Sequence, residues 1–376
     1  MREGDAVQEL MVTEEQRELR DALRRFFADK SGSAEVRRLM ATESGYDPAL
    51  WAQMAGQLGL QGLAIPEEYG GAGFGFRELV IVCEEMGRSL LCAPFLSSAV
   101  LAAQALLAGA DEAARADLLP GIADGTTIAT LAGLGSELRA THDQVFEAPP
   151  GQSCWTLTGQ IPYVLDGHTA DLVVAVAGGS LFAVAGDAAG LVRTPLATLD
   201  QTRKLARLEF TSVRARLLGA EGAAGPAVAA ALDRGAVALA AEQLGGAQKV
   251  LELSVEYAKV RHQFGRPIGG FQAIKHKCAD MYVAVESARS AVMNAAAVAD
   301  ESPQDLPAAA ALAAAYCGEA FFQAAGETIQ IHGGIGFTWE HDAHLYFKRA
   351  KSGQTLLRTP AAHREALAGL VLSRTA

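Results

Sequence analysis

A chain of 376 residues, half of them hydrophobic, has enough apolar side chains to fill more than one core. Its net charge of −11 argues against nucleic acid as a partner, because phosphate binding calls for a basic face. The charged opening MREGDAVQELMVTEEQRELRD is unlike a signal peptide, and no apolar run is long and isolated enough to span a bilayer, so a soluble, cytoplasmic protein without membrane attachment is expected.

From Thr13 onward, Leu19, Leu23, Phe26 and Phe27 recur on one helical face, with Thr13 as N-cap and Gln16 at the capping-box position. A second helix is expected around Asp47–Leu58, ending near Gly59, followed by the glycine-rich loop LAIPEEYGGAGFGF. Helical spacing returns at Arg77–Arg88, Ser97–Ala108 and Asp111–Leu119. Around Gly125 the period changes. Short apolar runs such as CWTLTGQIPYVL, DLVVAVAG and SLFAVAG, separated by Gly, Asp and Pro, predict an antiparallel β domain of about 100 residues. After Gly225 the helical period resumes, in an Ala-rich helix over 226–264 and two more over 271–299 and 304–331.

The fold class predicted is mainly α with a central β domain. An N-terminal helical domain (1–122) precedes a middle β barrel or sandwich (123–222) and a C-terminal four-helix bundle (223–376). Small residues along the last helices allow the close packing that suits a subunit interface. Cys83, Cys92, Cys154, Cys278 and Cys317 form no CxxC pair, which favours reduced thiols, and the eight histidines form no metal-like cluster, so no metal is expected.

Two stretches carry chemistry. In VRHQFGRPIGGFQAIKHKCADM (260–281), Arg261 and Gln263 end one helix and Gln272 begins the next, a pattern open to two readings: a grip on phosphate, or a plain helix–helix connection. In ETIQIHGGIGFTWEHDAHLYFKRAK (327–351), Gln330 and His332 precede Gly333 and Gly334, which fit either close backbone approach to a ligand or a helix C-cap. No strand precedes these glycines, so they do not match the dinucleotide fingerprint of a parallel α/β sheet.

The pair RHQFGRPIGGFQ and QIHGGIGFTWEHDAHLYFKRA, about sixty residues apart, resembles the C-terminal signature of the acyl-CoA dehydrogenase flavoprotein family. The opening EEQRELRDALRRFFA, the segment GLAIPEEYGGAGFGFRELVIVCEEMGR and the helix–β–helix order extend the resemblance over nearly the whole chain. It implies an acyl-CoA dehydrogenase-like fold with FAD at a subunit interface, held at its adenosine and pyrophosphate half by Arg261, Gln263, Phe264, Gln272, Gln330, Gly333 and Gly334. Near the flavin ring, the family's Thr-Glu-Pro…Gly-Ser-Asp loop corresponds to TLAGLGSE (130–137), where Thr130 and Ser136 are retained. Its Trp-Ile-Thr corresponds to Tyr163-Val164-Leu165; Tyr163 keeps the ability to stack and Leu165 offers no hydroxyl.

The resemblance also implies that a carboxylate removes the α-proton of an acyl-CoA. Many members place that Glu in the segment matching SGQTLLRT (352–359), and others at the position of Gly235; this chain has no acid at either. Residues 343–364 carry five Lys or Arg and no acid, a face suited to solvent, an interface or CoA phosphates. Two acids on the long helix are substitutes. Asp233 points about 200° away from Gly235, and beside Arg234 it also reads as a solvated helix-start pair. Glu242 returns to nearly the same face about 10 Å further along. It has no basic neighbour in sequence, so it is expected either as a buried base with a raised pKa or as a tie to a partner helix.

The implied function is α,β-dehydrogenation of an acyl-CoA, with electrons passing to an electron-transfer flavoprotein, by a homo-dimer or homo-tetramer or by one subunit of a hetero-oligomer. The missing bases resemble actinobacterial-type members that act on steroid side chains. A flavin-dependent monooxygenase of the same fold, and a non-catalytic subunit completing another chain's FAD site, are the alternatives.

Overall fold

The structure, a computed structural model, is described for residues 12–142 and 155–375. Cys154 lies outside the described residues; Cys278 and Cys317 are free thiols. The chain divides into two compact units. One comprises Met1–Arg37, Phe76–Leu91 and Ala236–Ala376, and the other Arg38–Gly75 and Cys92–Gly235.

Helices come first in the chain: α1 Glu14–Lys30, α2 Ser33–Met40, α3 Pro48–Leu58 and α4 Phe76–Arg88. The predicted capping box opens α1. Thr13 Oγ1 accepts from the Gln16 amide at 3.2 Å and the Gln16 side chain accepts from the Thr13 amide at 3.1 Å. Leu23 and Phe27 are the buried face of that helix. Asp47 caps α3, and Gly59 ends it in the left-handed conformation that glycine adopts without a Cβ clash.

The single helix expected over Ser97–Ala108 is wound differently. Leu96–Ala102 is a π-helical stretch that continues into α5 Ala103–Gly109 and is followed by α6 Glu112–Ala123. Its serines bond outward: Ser97 Oγ donates to Asp166 at 2.7 Å and Ser98 Oγ accepts from the Ala129 amide at 2.9 Å. Hydroxyl bonding of this kind is invisible to a 3.6-residue period.

Seven strands follow: β1 Ala129–Ala132, β2 Arg139–His142, β3 Trp155–Leu165, β4 Leu172–Ala177, β5 Ser180–Ala185, β6 Leu191–Pro195 and β7 Leu205–Leu218. They form one sheet in the order β1-β4-β5-β7-β3-β2, with β6 also on β7. Alternation along β3 and β7 sends Leu157, Ile161, Leu208, Phe210 and Val213 into the core with Phe182. The sheet is mixed where the sequence predicted it antiparallel. β1 runs parallel to β4, an arrangement that needs the long connection through β2 and β3.

The last part of the chain contains α7 Ala224–Val260, the two-residue strands β8 His262–Gln263 and β9 Arg266–Pro267, α8 Gln272–Glu301, α9 Leu306–His332, α10 Ala343–Gly353 and α11 Pro360–Thr375. α7 stops short of the expected residue 264, because Phe264 and Gly265 take φ of 52° and 77° to turn a hairpin. By length and composition α7 could cross a membrane, yet 56% of its most apolar window is buried within the protein, as in a core helix. In the first unit α4 and α7 cross at glycines. A Cβ on Gly87 would overlap the Glu242 carbonyl, and one on Gly245 would overlap that of Glu84.

Candidate functional site

The two glycine-bearing stretches meet in the first unit. Tyr257, in the last turn of α7, stacks on His332, at the end of α9, with ring centroids 4.3 Å apart, and His341 packs on His332 at 4.3 Å. Arg261 follows Tyr257 by four residues, and Gly333 and Gly334 follow His332 directly. His332 is fixed by a 2.8 Å bond between Nδ1 and the Thr328 carbonyl, and burial lowers its pKa. This ring stack was not foreseen from the sequence. A histidine just before a glycine pair and a tyrosine one turn before the arginine were its only signals.

The predicted adenosine-side residues lie at the surface. Arg261, Gln263, Gln272, Gln330, Gly333 and Gly334 are all exposed, and Phe264 is 93% exposed. No side-chain bond within the described residues occupies the Arg261 guanidinium or the amides of Gln272 and Gln330, whereas Gln263 donates to the His262 carbonyl. Gly333 takes φ +61°, and a Cβ on either Gly333 or Gly334 would meet only open space. Unclaimed donors beside bare backbone suit the phosphates and polar edges of a dinucleotide. Phe337 and Trp339, 84% and 66% exposed, extend this surface with apolar rings.

The flavin-ring residues belong to the second unit. Thr130 is fully buried and donates its hydroxyl to the Leu165 carbonyl at 2.6 Å, so it ties β1 to the end of β3. Ser136 is half-buried and bonds the Gly133 carbonyl at 3.1 Å, closing a turn. Tyr163 is 74% exposed, beside an irregularity in the β3–β7 register between Ile161 and Val164. Leu165 is buried. Tyr163 therefore offers a face for stacking, while Thr130 spends its hydroxyl proton inside the fold. FAD fits the residues of the adenosine side; on the ring side the fit reduces to Tyr163 and backbone groups.

Of the two candidate bases, Glu242 has a basic partner. Glu242 Oε1 accepts from Arg349 Nε at 2.8 Å, with the two side chains 12% and 6% exposed, and Arg349 also donates to the Leu91 carbonyl at 3.3 Å. Glu242 has no basic neighbour in sequence, and its partner comes from α10, far along the chain. The pair fits the tie between helices better than a base held ready for a proton. Asp233 is half-buried in the second unit's part of α7.

The basic run is also less solvated than its composition suggests. Lys348 sits 4.4 Å from the Trp339 ring centroid and Lys351 5.3 Å from that of Phe322, Arg349 is buried, and Arg364 pairs with Glu319. Among the described residues no cluster of His, Cys, Asp and Glu could hold a metal ion.

Residues 13–126 match the family model for the acyl-CoA dehydrogenase N-terminal domain, and residues 225–368 match that for the C-terminal domain. The chain is 41% identical over 347 residues to acyl-CoA dehydrogenase IpdE2 of Mycobacterium tuberculosis, covering 92% of this chain and 94% of the relative. Among solved structures it is similar to a variant of the Tcur3481-Tcur3483 steroid ACAD, at 32% identity and a TM-score of 0.86 over 97% and 99% of the two chains. It is also similar to the ChsE4-ChsE5 complex from Mycobacterium tuberculosis, at 28% identity and a TM-score of 0.85 over 96% and 98%.

Proposed function

This chain belongs to the acyl-CoA dehydrogenase family, oxidoreductases acting on a CH–CH bond, and we propose that it is one subunit of a hetero-oligomeric, FAD-dependent enzyme of that family. The observation that carries the proposal is the Glu242–Arg349 pair. It occupies the better-placed substitute acid of α7, in a chain with no acid at either expected base position. The α-proton of the thioester is then taken by a carboxylate of the second subunit.

This chain contributes Arg261, Gln263, Phe264, Gln272, Gln330, Gly333 and Gly334 to the pyrophosphate and adenosine, and Tyr163 to the ring. Bound FAD supplies the acceptor for the β-hydrogen, so that an acyl-CoA becomes its 2-enoyl-CoA. Electrons leave to an electron-transfer flavoprotein in the cytoplasm. The substrate class we assign is a CoA thioester of a steroid side chain; the paired names of the Tcur3481-Tcur3483 and ChsE4-ChsE5 structures support the pairing, and the steroid ACAD supports the substrate.

The test is flavin content per chain. Expressed alone, the chain should retain little FAD; co-expressed with a second acyl-CoA dehydrogenase chain from its own genome, it should purify yellow and bleach anaerobically with a steroid side-chain acyl-CoA. A yellow, substrate-bleached enzyme from this chain alone would refute the hetero-oligomer.

A further inference from the structure

We propose that the first unit holds a binding pocket for a small apolar carboxylate, anchored by Lys249 and distinct from the residues assigned to FAD. A cavity of about 350 Å³ opens among α1, the start of α2, the end of α4, α7 and the start of α10. None of Arg261, Gln263, Gln272, Gln330, Gly333 or Gly334 lines it. Phe27, Leu90, Leu253 and Leu345 supply the apolar half of the wall, and Ser31, Ser33, Ser89 and the charged groups the polar half.

The charged groups on the wall sort themselves by pairing. Arg24 bonds Glu85 at 2.7 Å, Arg88 forks onto Glu252, and Asp342 accepts from Arg37 and Ser33, each at 2.7 Å. Lys249 is the one ionic group of the wall that makes no hydrogen bond or ion pair among the described residues. Its stem is half-buried. Arg88, Glu252 and Asp342 are the charges that face it; both acids already have arginine partners. Burial and then Arg88 lower the Lys249 pKa, while Glu252 and Asp342 oppose that shift. An ammonium placed this way gains from an incoming anion, which would supply the missing partner.

The ligand's chemistry follows from the lining. One unmatched positive charge calls for one negative charge, and the apolar half of the wall leaves a place for a short hydrocarbon body beside it. The volume lies near the lower end of about 300–1,000 Å³ for small-molecule pockets, which suits a short-chain acid and excludes CoA. The pocket also borders the start of α10, so an occupant would brace the helix that carries Arg349.

Sodium hexanoate is the probe, titrated calorimetrically into the enzyme as purified, with its flavin and any partner subunit. We expect saturable binding of one hexanoate per chain, at least tenfold weaker in K249M and retained in K249R. Hexan-1-ol, which has the same body without the charge, should bind at least tenfold more weakly to the parent enzyme. Equal affinity for hexanol and hexanoate would overturn the proposal without reference to any variant. So would unchanged binding in a K249M protein that melts with the parent, or no saturation up to about 10 mM hexanoate, where any interaction would be weaker than about 3 kcal/mol.

Discussion

Arg349 Nε reaches Glu242 Oε1 at 2.8 Å inside the first unit, joining α10 to α7 where both side chains are nearly withdrawn from water. Removing one partner of such a pair strands the other charge, at about 3–5 kcal/mol. R349M should therefore unfold at a clearly lower urea concentration than the parent, and the double change E242L/R349M should recover most of the loss. A parent-like midpoint for R349M would show that the pair contributes nothing.

The same pair makes a separate statement about turnover. Loss of a general base slows an enzyme by about 10²–10⁴-fold. With the base on the second subunit, E242Q in the assembled enzyme should keep kcat within about tenfold of the parent. Stopped-flow reduction of the flavin by substrate reads this directly, and a loss in the hundreds would return Glu242 to the role of base.

Much of the fold could be read from the sequence because its signals are local. The Thr13/Gln16 capping box, the glycine that stops α3 and the alternation along β3 and β7 each depend on residues within a few positions of one another. The candidate site was readable only as two motifs. That they meet through Tyr257 and His332 depends on packing between α7 and α9, and the partner of Glu242 lies on a helix more than a hundred residues away. The parallel β1–β4 pair has the same character, since strand direction in a sheet is a property of connections and not of the apolar pattern.

Gly87 and Gly245 show how close α4 and α7 lie. A methyl group on either would overlap backbone rather than the tip of a flexible side chain. Overpacking of this kind costs about 1–3 kcal/mol and more where backbone must move. G87A and G245A should each lower the melting temperature by several degrees, whereas G56A, exposed in α3 with nothing within 4 Å of its Cβ, should hold or slightly raise it. Equal melting of all three would mean that the helices separate freely.

Arg261 makes the opposite prediction, because its guanidinium has no side-chain bond within the described residues and is exposed. R261A should leave the urea-unfolding free energy of the chain expressed alone within about 0.5 kcal/mol of the parent, as surface changes do. In the co-expressed enzyme the same change should lower FAD per chain after gel filtration, and added FAD should restore the absorbance. A variant that keeps its flavin through dilution would remove Arg261 from the cofactor site.

Four histidines of the first unit weaken it as the pH falls. His332, His341, His344 and His363 all have lowered pKa values, and burial is the largest cause for each. In the unfolded chain they titrate near about 6.5, so below that pH the unfolded state binds protons that the folded state does not. Stability from these groups is complete above about pH 7 and falls as the pH drops through 6.5 toward the folded values, by up to about 1.4 kcal/mol per pH unit for each proton taken up only on unfolding. Urea midpoints should therefore fall between about pH 7.5 and 5.5, and H332F, which keeps a ring against Tyr257 without the titrating nitrogen, should show a shallower fall. A parent midpoint that rises on acidification would mean that the buried imidazoles accept protons without cost to the fold, and the Tyr257–His332 stack would then be a charged contact at acid pH.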